Sequence, residues 1–135
     1  MHIQLIRADI TSMKVDAIIN PSETSDESVT GGNLLCRFII NTPIPRAGDE
    51  EAEDKIRRAT MNSLERAESL AVASVAMPAM CAGFPDHMMK RCAQIMLEAT
   101  VLFGTRARSL QRVVYCLFDQ EQYEVFENAL REVKR

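Results

Sequence analysis

Leu70-Ala71-Val72-Ala73-Ser74-Val75-Ala76-Met77 is the stretch whose reading decides the fold. Its residues are small or β-branched and apolar at nearly every position. A strand with one face in water would alternate apolar and polar residues. This run does not, so it reads as a strand buried on both faces, central in a helix-covered sheet. Toward the C-terminus, Pro85 stands at the favoured first-turn position of a helix. Met89, Cys92, Ala93, Met96 and Ala99 then recur at helical spacing as its inward face. Residues 110–118 form the next apolar run, a strand whose last residue, Phe118, reads on composition as core. Residues 120–133 carry Tyr123, Phe126, Leu130 and Val133 at the spacing of a final helix.

Toward the N-terminus, acidic residues from Asp49 onward signal a helix start, and Ala52, Ile56, Ala59, Ser63 and Ala67 give it an apolar face. Residues 36–42 read as a strand ended by Pro43 and Pro45. Residues 22–32, rich in Ser, Thr, Glu and Gly, have loop composition. Residues 15–20 form a short buried strand closed by Pro21, and residues 2–8 an opening strand. Strands alternating with helices in the second half predict a largely parallel sheet. With little between them, the opening two strands predict an antiparallel edge. The class is α/β: one three-layer domain over residues 1–135, its mixed, mostly parallel sheet flanked by helices. The eight methionines, mostly at helical spacing, read as core filler.

The net charge of −3 and a pI near 5.4 argue against generic nucleic-acid binding, which leaves a basic footprint. No apolar run approaches the roughly 20 residues of a membrane-spanning helix. The start Met1-His2-Ile3-Gln4-Leu5-Ile6-Arg7 lacks the basic segment and cleavage site of a secretory signal. A cytoplasmic location is therefore expected. Cys36, Cys81, Cys92 and Cys116 sit among apolar neighbours, as reduced buried cysteines do. No CxxC pair occurs, and the spacing of Cys81, His87 and Cys92 is not that of known zinc modules, so neither a metal nor a cofactor is expected.

Several segments, in order, resemble the macro domain, the ADP-ribose-binding family that includes the Appr-1''-p processing proteins. Arg7-Ala8-Asp9-Ile10-Thr11, followed by Val15-Asp16-Ala17-Ile18-Ile19-Asn20, looks like the family opening G-D-I-T and V-D-A-I-V-N-A-A-N. Gly32-Asn33-Leu34-Leu35-Cys36-Arg37-Phe38-Ile39-Ile40-Asn41-Thr42 is similar to G-Y-N-L-P-x-K-Y-V-I-H-T. Met77-Pro78-Ala79-Met80-Cys81-Ala82-Gly83-Phe84-Pro85 is similar to F-P-A-I-S-T-G-x-x-G-F-P. The segment from Val113 to Asp119, with Tyr123, matches the family's closing V-x-F-V-x-F-D-x-x-x-Y.

By that resemblance, Asp9 accepts a hydrogen bond from the adenine amino group and the Ile10 N–H contacts the ring. Phe118 supplies the stacking aromatic. Asn20, Gly83 and Phe84 complete the ligand contacts. Taken alone, Asp9 reads as a turn or cap residue, because Asp-Ile-Thr-Ser follows a strand; the resemblance puts the ligand reading level with it.

The chain also departs from the family. After Asn20 it runs Pro21-Ser22-Glu23, so Glu23 stands where hydrolytic members have the second Asn that orients water. A carboxylate there suits a general base but places negative charge beside an anionic ligand. Few residues separate this point from Thr30-Gly31-Gly32, where the family has a glycine run, a helix and a further strand. The phosphate-cradling Gly-x-x-Gly turn is shortened, because Gly83 leads straight into Phe84-Pro85. Asn41 replaces the family's His, and His87 reads as a surface residue.

The resemblance implies a divergent module that binds ADP-ribose or a related adenine nucleotide weakly, without catalysis. Two alternatives stand beside it. One is an interaction protein that kept the fold, its shortened cleft exposing apolar surface that a homodimer would cover. The other is an ADP-ribosyl or O-acetyl-ADP-ribose hydrolase using Asn20 or Glu23.

Overall fold

The structure is a computed structural model that describes residues 1–22, 29–30, 36–46, 48–80 and 84–134. Among the described residues, six strands are present: β1 (His2–Arg7), β2 (Ala17–Ser22), β3 (Val29–Thr30), β4 (Phe38–Pro43), β5 (Ser74–Pro78) and β6 (Arg112–Leu117). Three helices, α1 (Ala52–Ser69), α2 (Asp86–Gly104) and α3 (Gln120–Val133), accompany them, with a short 3₁₀ turn at Ile10–Ser12. The sheet order is β1-β6-β5-β2-β4-β3. All pairings are parallel except β3 with β4.

The expected α/β class holds, and β5, the opening stretch of the sequence reading, lies centrally between β6 and β2. Its alternate residues serve two cores. Val75 and Met77 join Ala17, Ile19, Val113 and Tyr115 beneath the helices, while Ala76 joins Ile18, Val114 and Cys116 on the opposite face. Right-handed crossovers β4-α1-β5 and β5-α2-β6 step across the sheet in the same direction. Their helices therefore share one face, with α3 beside α2. The link from β1 to β2 travels the other way and carries the 3₁₀ turn across the opposite face, where Ile10 and Met13 pack.

Three local expectations are corrected. The antiparallel edge is not made by the opening strands: β1 pairs in parallel with β6, and β3 forms that edge from within the segment read as loop. Strand β2 continues through Pro21 rather than ending before it. Pairing with β5 stops at Ile18, so beyond that point Pro21 faces only β4, and its missing N–H interrupts no ladder on the other side. Residues 70–73 lie outside β5: Leu70 caps α1 and Ala71 takes a left-handed φ of 57° in the turn.

The helix faces fall as their spacing predicts. Ala52, Ile56, Ala59, Ser63 and Ala67 of α1 are buried, as are Met89, Cys92, Ala93, Met96 and Ala99 of α2. Met77, Met80, Met89 and Met96 are core residues. The Tyr115 hydroxyl lies 2.6 Å from Thr100 Oγ1, so the largest polar group of the core is satisfied, and burial pushes its phenol up. No helix among the described residues is long and apolar enough to cross a membrane.

At the base of the sheet, Glu68 ties α1 to the turn before β6. Its carboxylate accepts from the N–H groups of Arg108 (2.7 Å) and Ser109 (2.8 Å) and from the Ser109 hydroxyl. These bonds to the charged form, that of the hydroxyl first, lower its pKa from 4.5 to about 2. Because the folded value is depressed, the stabilisation is fully present above pH 4.5 and is lost as pH falls through about 2. Glu68→Gln is therefore expected to lower the melting temperature at neutral pH and to flatten its dependence between pH 4.5 and 2, as followed by circular dichroism. Leu64, fully buried between α1 and the sheet, is expected to cost about 2–5 kcal/mol as Leu64→Ala in urea unfolding.

Candidate functional site

Parallel strands bring their carboxyl ends to one edge, and a crevice opens there where connections diverge. In this sheet that point lies between β2 and β5. The two strands pair only through Ala17 with Val75 and Ile18 with Ala76, then separate. A cavity of about 740 Å³ fills the gap, lined among others by Ile19, Asn20, Arg46, Met80 and Phe84. A second, of about 910 Å³, adjoins it past the ends of β1 and β6, lined by Asp9, Cys116, Phe118, Asp119 and Gln122. Ile10, Pro78 and Ala79 line both, so the two form one cleft along the carboxyl edge.

Asp9 lies at the end of β1 and caps the 3₁₀ turn. Its Oδ1 accepts from the Thr11 N–H (2.9 Å) and the Thr11 hydroxyl (2.8 Å), and these bonds, the backbone one first, hold its carboxyl below the usual range. Both bonds fall on Oδ1, which leaves the acceptor capacity of Oδ2 unused by them. The Ile10 N–H is at the first position of the turn, where no intrahelical acceptor exists. The cap reading and the ligand reading of Asp9 are thus compatible: the cap fixes the carboxylate and leaves an acceptor and a neighbouring donor.

Phe118 corrects its composition-based reading as core. It is 86% exposed, the most exposed large apolar side chain described, and it stands on the same cavity wall as Asp9. Its backbone is held on both sides. The Phe118 N–H donates to Gln122 Oε1 at 2.9 Å, and Asp119 caps α3 by accepting from the Gln122 N–H at 2.9 Å. Arg7 donates to Gln120 Oε1 at 3.1 Å across the same corner.

At the other end of the cleft, Asn20 Nδ2 donates to Asn41 Oδ1 at 2.9 Å. The two residues are in register on β2 and β4, which makes the contact a consequence of the pairing. Phe84 is buried in the cleft wall, followed by exposed Pro85, Asp86 and His87 at the start of α2. Pro85 has no N–H to offer, and Asp86 places a carboxylate in the first turn. Glu23, Cys81 and Gly83 lie outside the described residues. Arg46, the charged residue that lines the 740 Å³ cavity, was missed by sequence reasoning. It follows Pro43-Ile44-Pro45 and carries no motif that marks it. The Asn20–Asn41 bond was missed too, although the strand register would have revealed it.

Cys116 closes the cleft floor as a free thiol, pushed up to about 11 by burial first and by the Asp9 charge second. It is protonated at neutral pH and so is a packing group rather than a nucleophile. Cys36 is also free, its thiol raised by burial. Cys92 is disulfide-bonded, which overturns the expectation of a reduced thiol at that position.

A family model described as Macro domain matches residues 17–96. An uncharacterised protein of Saccharolobus solfataricus is 29% identical over 170 residues, covering 98% of this chain and 94% of the relative. A macro domain-containing protein of Cupriavidus necator is 23% identical over 168 residues, covering 96% of this chain and 95% of the relative. Both alignments are longer than the 135 residues available here, so the relatives carry segments this chain lacks. Among solved structures, the Oceanobacillus iheyensis macrodomain with ADP superposes with a TM-score of 0.84 at 17% identity, over 96% of this chain and 90% of that one. The Trypanosoma brucei macrodomain in complex with ADP gives 0.78 at 18% identity, over 96% and 69%. With the family model spanning more than half its length, the chain belongs to the macro domain family.

Proposed function

We propose that residues 1–135 form one macro domain that binds ADP-ribose, or a smaller adenine nucleotide, weakly and without turnover. The observation that carries this reading is the pairing of Asp9 with an exposed Phe118 in one cavity wall. Adenine needs an acceptor for its amino group, a donor for its ring nitrogen and a flat apolar face. Asp9 Oδ2, the Ile10 N–H and the Phe118 ring are groups of those three kinds. The ligands named with the related structures, ADP in two macrodomains and ADP-ribose in a mutant of one of them, support the same class.

Weak binding follows from the phosphate end. Pro85 removes a donor from the start of α2, and the Asp86 carboxylate opposes an anion in the same helix turn. The absence of turnover is inferred from the distal end, where one Asn20 N–H is engaged by Asn41 instead of remaining open to order a water. On this reading Asn20, Gly83 and Phe84 are ligand contacts, and neither Asn20 nor Glu23 performs catalysis.

Isothermal titration with ADP-ribose tests the proposal. Saturable heat at millimolar ligand is expected. Asp9→Ala is expected to weaken binding about tenfold, and Phe118→Ala to cost about 1–3 kcal/mol. Absence of heat in the wild type would sink the nucleotide reading. The exposed Phe118 would then favour the second reading, a self-association surface, which sedimentation at high concentration would reveal as a homodimer.

A further inference from the structure

A third cavity, of about 650 Å³, lies between β4 and α1 and adjoins the cleft at Ile44 and Pro45. Asn41 and Thr42 line it from the strand, and Lys55, Arg58, Asn62 and Arg66 from the helix. The four helix positions recur at intervals of three and four, so they form one stripe along α1. At 1.5 Å per residue, Lys55 and Arg66 are about 16 Å apart along the axis. Among the described residues, Asp49 is the single acidic residue of the lining, and it lies 3.9 Å from Lys55. The groove is therefore positive on a chain whose net charge is −3.

The other charged groups on and around α1 show what a solvated face looks like in this molecule. Arg57 pairs with Asp54 at 2.9 Å, Arg91 with Glu53 at 3.0 Å, and Arg106 with Glu65 at 2.7 Å. Arg58 departs from that pattern. It is exposed at the groove and makes no hydrogen bond or ion pair among the described residues. Arg66 has a partner, so the argument rests on Arg58, with Lys55 beside it.

We propose that this groove docks an acidic peptide segment of a partner protein, about five residues long in extended form at roughly 3.3 Å each. Its carboxylates meet Arg58 and Lys55, for which the guanidinium offers a bidentate fork. The Asn62 amide, with donors and an acceptor, suits a peptide backbone. Ile40, Ile44 and Ala59 give the groove an apolar strip for side-chain stems. Single-stranded nucleic acid fits less well, because among the described residues no aromatic ring lines the groove as a stacking platform. The inference does not depend on nucleotide binding in the cleft.

The test is fluorescence anisotropy of a fluorescein-labelled hexaglutamate peptide titrated with the whole chain. Saturable binding is expected, weakened about tenfold by Arg58→Glu and largely retained by Arg58→Lys, which keeps the charge. Circular dichroism confirms that both variants are folded. The idea is overturned by lack of saturable binding or by equal affinity in Arg58→Glu. It is also overturned if hexathymidylate or inorganic tripolyphosphate displaces the probe at lower concentration than unlabelled hexaglutamate. Such a result would assign the groove to nucleic acid or to phosphate.

Discussion

Two residue pairs, Ala17 with Val75 and Ile18 with Ala76, join the two halves of the sheet. One half is β1-β6-β5 and the other β2-β4-β3. Each half is well paired internally, with six-residue registers between β1 and β6 and between β2 and β4. The join is short because β2 must leave β5 to carry Asn20 and Pro21 outward, and that departure opens the crevice. The cost of so short a ladder is met by packing. Ala17, Ile18, Val75 and Ala76 are all buried, so separating the halves would expose both cores at once. The site exists where the sheet is thinnest, and the hydrophobic cores above and below hold it there.

The same constraint explains which end of the cleft is built firmly. The Asp9 end stands on β1 and β6, whose pairing is continuous, and two caps fix its geometry: Asp9 over the 3₁₀ turn and Asp119 over α3. Satisfied cap bonds lock side chains that also face the cavity, so the groups that meet a ligand are preorganised at no further cost in rotamer freedom. Glu68 plays the corresponding part at the opposite edge of the sheet, holding the turn that launches β6.

Much of this was legible in the sequence because it follows from periodicity. The central position of β5 is written in an apolar run without alternation, and α3 in Phe126 and its helical neighbours. Strand order was less legible. Nothing in residues 2–22 tells whether β2 returns beside β1 or crosses to β5, since that choice is made by right-handed crossovers elsewhere in the chain. Two residues, Val29 and Thr30, are too few for a pattern, so β3 was hidden inside loop composition. At the site, family-like segments pointed to Asp9, Ile10 and Asn20, whereas the exposure of Phe118 contradicted the rule that apolar strand ends are core. Arg46 and the stripe of Lys55, Arg58 and Arg66 carry no motif. Only the packing of α1 against β4 shows that the stripe lines a groove.

The distribution of charge then separates the two surfaces by ligand chemistry. In the cleft, the described charged groups of the lining are Arg7, Asp9 and Asp119 at one end and Arg46 near the middle, with Asp86 outside the lining at the start of α2. The two signs balance in that lining, so an anionic ligand gains little from the net field there, and its affinity has to come from the adenine end through hydrogen bonding and stacking. The groove between β4 and α1 has, among the described residues, an excess of positive charge and no aromatic ring in its lining, so its affinity has to come from charge. Added salt would weaken the second surface far more than the first, because exposed charges are screened while a stacked base is not. The two surfaces adjoin: Ile44 and Pro45 line both, and Asn41 of the groove accepts from Asn20 of the cleft, so the difference in their chemistry is set by which side chains α1 contributes to one and not to the other.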